Sequence, residues 1–230
     1  MLSVVAAELS SSVSAWRVRL PRRLVQLHVG LVLYGVGMAL QLRAGLGLDP
    51  WDVLHLGISR HTGLSFGGTV IVVGVLVLLL WIPLRQRPGI GTLCNAIVIG
   101  LVVDTTLALV PEPSVLAVRW ALLLGGVLVG GVATGCYIGA GLGPGPRDGL
   151  MTGLAARTGR SIRLVRTVLE LTVLAAGYLL GGTVGVGTVI YAVAIGPLTH
   201  VFLPLFTLPP VTVPAVGDGS EPRVTTAVPR

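Results

Sequence analysis

Residues 44–52 read AGLGLDPWD, and residues 140–148 read AGLGPGPRD. Displaced by 96 residues, the chain matches itself without a gap over two blocks. In the first block Ala44, Gly45, Leu46, Gly47, Pro50, Asp52, Leu54, Gly57, Thr62 and Gly63 meet Ala140, Gly141, Leu142, Gly143, Pro146, Asp148, Leu150, Gly153, Thr158 and Gly159. In the second, GIGTLCNAIVIG (89–100) lies on GVGTVIYAVAIG (185–196). Unrelated apolar helices share Leu and Val by chance, but not Gly, Pro, Asp and Thr in register. The fold must therefore be built from two copies of one plan.

The plan is a membrane plan. The chain is 53% hydrophobic and 11% charged, whereas soluble domains carry about 25% charged residues. Each copy divides into four segments. Segments A (24–42 and 115–138), C (67–84 and 163–182) and D (90–110 and 185–206) are long enough to cross hydrocarbon as helices rising about 1.5 Å per residue. Segment B (50–61 and 146–157) is too short for a core of about 30 Å. Three crossings per copy is an odd number, so the copies have opposite orientation, the inverted-repeat plan of many transporters and channels. The expected fold is an all-α polytopic membrane protein of about six transmembrane helices in two inverted repeats, each with a short re-entrant or interfacial helix. The expected divisions are a cytoplasmic tail (1–21), repeat 1 (22–111), repeat 2 (112–207) and a disordered Pro-, Val- and Thr-rich tail (208–230). The N-terminal tail reads as loose or amphipathic. It is not a signal peptide, because its charges follow its apolar stretch.

All 16 basic residues are arginine. With both termini inside, Arg17, Arg19, Arg22, Arg23, Arg85, Arg87, Arg147, Arg157, Arg160, Arg163, Arg166, Arg223 and Arg230 are cytoplasmic, as the positive-inside rule requires. Only Arg43, Arg60 and Arg119 lie outside. If segment B crossed, the repeats would be parallel and the charge bias would be nearly as good, so segment length decides the topology. The net charge of +7 is read as topology signal and contact with anionic lipid, not as a nucleic-acid surface.

The repeated phrase ends one helix and starts another. Gly45 and Gly47, with Gly141 and Gly143, supply the positive φ that terminates segment A. Asp49 then stands at the N-cap of segment B, Pro50 at N1 and Asp52 at N3; in the second copy these are Gly145, Pro146 and Asp148. Two readings stay open, with subunit contact a third: a well-capped turn at the membrane surface, or a re-entrant pair whose N-termini, Asp52 and Asp148 face a shared polar cavity.

The quoted blocks, with GLGPGPRDGLMTGLAARTGRSIRLVRTVLELTVL, resemble the bacterial YczE/YyaS/YitT family of membrane proteins, and the YczE branch most. The resemblance spans about residues 22–206. Members typically carry GPWD in the first copy, so Asp49 replaces a glycine. The resemblance implies a multipass bacterial inner-membrane protein whose molecular activity is undefined and which has no catalytic residues to carry over. A YczE relative is linked to regulation of secondary-metabolite production.

Other polar residues in the apolar runs have two readings each. Asp104 and its partner His200 either relay a proton or reach the interface. Glu170 either pairs with Arg166 one turn back or lines a polar path with Arg147 and Asp148. Arg119 reads as an outer-side snorkeller, and Trp16, Trp51, Trp81 and Trp120 as an interfacial belt. Gly30, Gly35, Gly37, Gly125, Gly126, Gly130, Gly131 and Gly135 read as close helix packing, and Cys94 and Cys136 as inert packing. No phosphate loop, HExxH, GxSxG or Cys/His cluster occurs, so no enzyme, cofactor or metal site is expected. The candidate substrate or ion site is Asp52, Asp148, Arg147 and Glu170. Gly45, Gly47, Pro50, Gly141, Gly143 and Pro146 form the helix-turn motif. The expected function is a small-solute transporter or channel-like protein with its site between the repeats. The alternative is a non-transporting accessory or regulatory membrane protein acting through partner binding. The bilayer is the expected partner, with a small solute or ion; a homo-oligomer stays open.

Overall fold

The computed structural model describes the backbone of residues 2–207 and side chains from residue 20 onward. Among the described residues the chain forms eight helices and no strand: α1 (Leu2–Ala44), α2 (Pro50–Thr62), α3 (Phe66–Leu84), α4 (Ile90–Leu109), α5 (Leu116–Gly139), α6 (Pro146–Thr158), α7 (Ile162–Leu179) and α8 (Val186–Phe206). The expected disorder at 208–230 lies outside the described residues. The N-terminal stretch, expected to be loose or amphipathic, continues α1 helically from Leu2.

Five helices are long and apolar enough to cross a membrane: the Leu20–Ala44 part of α1, and α3, α4, α5 and α8. The sixth expected crossing, α7, carries Arg163, Arg166 and Glu170 in its first half. It takes the place of α3 in the second copy. α2 packs on α7 as α6 packs on α3, and α1 packs on α4 as α5 packs on α8.

The contacts between the copies are reciprocal. Near the start of the Leu20–Ala44 part of α1, Arg23 Nη1 donates to Ala140 O beyond the end of α5 at 3.0 Å. At the start of α5, Arg119 Nε donates to Ala44 O at the end of α1 at 2.7 Å. Gly91 N donates to Leu142 O, and Gly187 N to Leu46 O, at 2.9 and 2.8 Å. α1 and α5 are therefore antiparallel and exchanged by a twofold relation, so the axis runs across them, in the plane of the membrane. The repeats are inverted. Arg119 is not a snorkeller, because its guanidinium satisfies the carbonyls of Ala44 and Gly45 that α1 leaves open.

The α1–α5 contact on this axis is built on glycines. Gly30 leaves room for Tyr137, Gly126 for Gln41, and Gly37 for the backbone at Gly126 and Gly130. Gly35, Gly131 and Gly135 likewise admit Val102, Leu198 and Phe202. A Cβ on Gly125 or on Gly130 would instead meet nothing within 4 Å, so neither is itself needed for close packing. The backbone of the repeated turn is the same in both copies: φ is 60° and 117° at Gly45 and Gly47, and 65° and 123° at Gly141 and Gly143.

Candidate functional site

The short helices are capped as their sequence predicts. Asp49 Oδ1 accepts from Trp51 N and Asp52 N at 2.9 and 3.0 Å, with Pro50 as the first helical residue. α6 begins on Gly145, which has no side chain to cap with. A surface turn is nevertheless not what these caps serve. Trp51 from the first turn of α2 and Leu150 from the second turn of α6 pack in one cluster with Val73, Val77 and Val173. Val73 and Val77 lie midway along α3. From there α2 runs to Arg60, which donates to Gly181 O just past the end of α7, and α6 runs to Arg157, which donates to Pro83 O at the end of α3. Each short helix thus begins level with the middle of α3 and ends level with the opposite end of it from the other, which is the geometry of a pair of re-entrant half-helices.

Their N-termini meet. Arg147, the partner of Trp51 under the repeat, holds its guanidinium carbon 5.6 Å from the centroid of the Trp51 ring, a cation–π distance. Its Nη1 lies 3.5 Å from Asp49 Oδ1. Two repeat-related positions therefore face each other across the axis, one aromatic and one cationic, with the Asp49 carboxylate between them. Trp81 is also buried, donating from Nε1 to Pro146 O at 3.1 Å, and Gly149 carries no Cβ because the Trp81 ring fills that space. Trp51 and Trp81 are 6% and 2% exposed, so they anchor the half-helices and form no interfacial belt. Thr92 Oγ1 fixes the approach to α6 by donating to Pro144 O at 2.7 Å.

Above this junction is a cavity of about 350 Å³. Of the four expected site residues, Arg147, Asp148 and Glu170 line it. Asp148 Oδ2 accepts from Tyr137 Oη at 2.8 Å, and Glu170 Oε1 accepts from Arg166 Nε at 2.8 Å while lining the same cavity as Arg147 and Asp148. Asp52 does not line it. It is 1% exposed, and its Oδ1 hydrogen-bonds His55 Nδ1 at 3.1 Å. The physical reason lies one turn on. Residue 55 is His in α2, whereas its counterpart in α6 is Met151, which offers Asp148 no donor.

The sequence reading missed Asp49 as an ion-pair partner, and it missed Tyr34, Asn95, Tyr137 and Tyr191 as cavity lining. Asn95 and Tyr191 are repeat partners, one polar group apiece inside the matched runs GIGTLCNAIVIG and GVGTVIYAVAIG. That was the signal available. Asp104 and His200 do not form a relay. Asp104 accepts from Ser65 Oγ at 2.5 Å and Gly67 N at 2.7 Å, capping α3, while His200 lies at the cavity mouth. Both cysteines are free. Among the described residues no three His, Cys, Asp or Glu side chains gather as a metal site. The cavity thus presents Arg147 and Arg166, each beside a carboxylate, and Asp148 beside the Tyr137 hydroxyl, the few convergent polar groups typical of a ligand pocket.

No solved structure matches the chain. It is 42% identical over 173 residues to an "Uncharacterized protein" of Haemophilus influenzae, covering 75% of this chain and 79% of that one. It is 34% identical over 177 residues to "Uncharacterized membrane protein YczE" of Bacillus subtilis, covering 76% and 82%. To "Uncharacterized protein YyaS" of the same organism it is 28% identical over 182 residues, covering 77% and 90%. The resemblance to the YczE branch read from the repeated phrases therefore stands. A family described as "Family of unknown function (DUF6198)" matches residues 21–204, both repeats together. The chain is an integral membrane protein and belongs to the DUF6198 family.

Proposed function

We propose that this protein moves a small solute across the bacterial inner membrane, with both termini in the cytoplasm and the binding site in the cavity between the repeats. The observation that carries this reading is the meeting of two half-helix N-termini at mid-depth beside a cavity lined by Arg147, Asp148 and Glu170. Irregular backbone survives at such depth where protein or a water-filled cavity satisfies it. Broken helices at an inverted-repeat interface commonly hold substrate or a coupling ion. Buried ionisable groups in a membrane protein are costly and tend to mark a pathway. The reading assigns no covalent chemistry to the site and needs no cofactor.

The test is flux through the purified protein in proteoliposomes, measured with a panel of charged and zwitterionic solutes. Asp148→Asn, Arg147→Gln and Glu170→Gln are compared with the parent after insertion and folding have been confirmed. Loss of flux in folded variants supports the site. Equal flux in all of them removes it and leaves the accessory, partner-binding role.

A further inference from the structure

The two copies differ at one seam. In repeat 1, α3 and α4 are pressed together at Gly67 and Gly100, each of which would drive a Cβ into the other's carbonyl oxygen. Asp104 bonds across the same seam to Ser65 and Gly67. Further along, a Cβ on Gly74 would meet that of Ala96 at 3.4 Å. In repeat 2 the counterparts of Gly67, Gly74 and Asp104 are Arg163, Glu170 and His200. An arginine and a glutamate cannot enter a glycine contact. Accordingly α7 and α8 lack the close packing that joins α3 to α4, and a Cβ on Gly196, the counterpart of Gly100, would touch nothing within 4 Å.

The cavity lies behind this unclosed seam. Arg166 and Glu170 line it from α7, and Tyr191, Gly196 and His200 from α8. Arg166, Gly196 and His200 are exposed. Outside them the surface is apolar: Val168 and Leu171 on α7 are 54% and 60% exposed, and Val189 and Val193 on α8 are 63% and 70% exposed. A charged mouth thus opens sideways through a lipid-facing wall.

We propose that the α7–α8 seam is the entrance to the site and that the substrate is an amphipath. Its polar head, carrying both signs of charge, passes Arg166 and Glu170 to reach Arg147 and Asp148, while its hydrocarbon part stays against Val189 and Val193. A head with both signs is matched because the cavity is lined by Arg147 and Arg166 as well as by Asp148 and Glu170. Arg147 and Arg166 each already face a carboxylate, Asp49 and Glu170, while Asp148 has only the Tyr137 hydroxyl. This deepens the transport reading by giving it a substrate class, and it rests on the same cavity.

Its test reads occupancy and not flux, so the two claims fail separately. A photoreactive phenylalanine analogue replaces Tyr191 inside the cavity or Val193 outside it. The full chain, in vesicles containing lysophosphatidylethanolamine, is irradiated and its adducts are weighed by mass spectrometry. The expected result is an amphipath adduct at both positions, with the adduct at residue 191 lost in Gly196→Trp and that at residue 193 kept. Gly196→Trp fills open space, so the fold tolerates it; a second plug, Ala192→Phe on the exposed face of α8, gives the same loss. An adduct with a second copy of the chain at residue 191 would overturn the proposal by making the seam a subunit interface. Absence of the adduct at residue 191 in the unplugged chain, or its persistence in both plugged chains, would overturn it as well.

Discussion

The pairing of Asp49 with Arg147 is the contact that joins the two half-helices, and its strength can be isolated. Asn replaces Asp49 without removing the oxygen that caps α2, since Asn and Asp cap about equally well. Asp49→Asn therefore deletes the charge and little else. At 3.5 Å two unit charges attract by about 5 kcal/mol at an effective dielectric of about 20. The Asp49 side chain is 2% exposed but that of Arg147 is 23% exposed toward the cavity. Water there screens the pair, so the expected coupling is about 1–3 kcal/mol, below the 3–5 kcal/mol typical when a fully buried pair is broken. The assay is a double-mutant cycle of parent, Asp49→Asn, Arg147→Gln and the double variant, unfolded reversibly in mixed micelles. Each single variant should be destabilised, and the double variant should lose less than their sum by the coupling. A coupling within about 0.5 kcal/mol of zero, the additivity of distant sites, would refute the claim that these helix starts touch.

Gly149→Ala should destabilise by about 1–3 kcal/mol, because its methyl group enters the space of a Trp81 ring that cannot move aside. Gly125→Ala, facing open space, should be neutral or stabilise by up to about 1 kcal/mol in the same unfolding assay. Arg23→Gln and Arg119→Gln should cost similar amounts, about 1–2 kcal/mol each, because they break reciprocal bonds to the open carbonyls of α5 and α1; a cost at one site only would break the symmetry argued for the two halves. Asp52→Asn should lower stability and leave transport per folded molecule unchanged, whereas Asp148→Asn should abolish transport with little change in unfolding.

The architecture was legible because the repeat preserves residues with strict backbone or capping roles. Gly45, Gly47 and Pro50 and their partners fix a turn and a helix start, and an odd number of long segments per copy fixes the inversion. What failed to show was which way each short helix is turned. Asp52 and Asp148 occupy the same N3 position, so the pattern alone equates them. The difference is set by neighbours, His55 against Met151 on the helix itself and Gln41 against Tyr137 on the helix behind it. Those pairs could have been read once the repeat was aligned. The burial of Trp51 and Trp81 was less accessible, since a tryptophan near a segment end looks interfacial until the other copy is packed over it. Gly149 opposite Trp81 exchanges roles with Gly177 opposite Val53 in the mirrored contact, a complementarity that appears only between the halves. The half-helix depth was likewise set by packing, because thirteen residues with good caps suit a membrane surface as well as its middle.

Inversion of the repeats is tested most directly by single cysteines at residues 63 and 159, in a chain whose Cys94 and Cys136 are replaced by alanine. These partner positions are the glycine C-caps of α2 and α6, where a Cβ meets nothing within 4 Å but a cysteine costs about 1–2 kcal/mol for holding φ of 70° and 66°. In intact cells a membrane-impermeant maleimide should label residue 63 from outside and should reach residue 159 only after the membrane is opened. Labelling of both positions from the same side would contradict the inverted arrangement and the mid-membrane meeting of the half-helices.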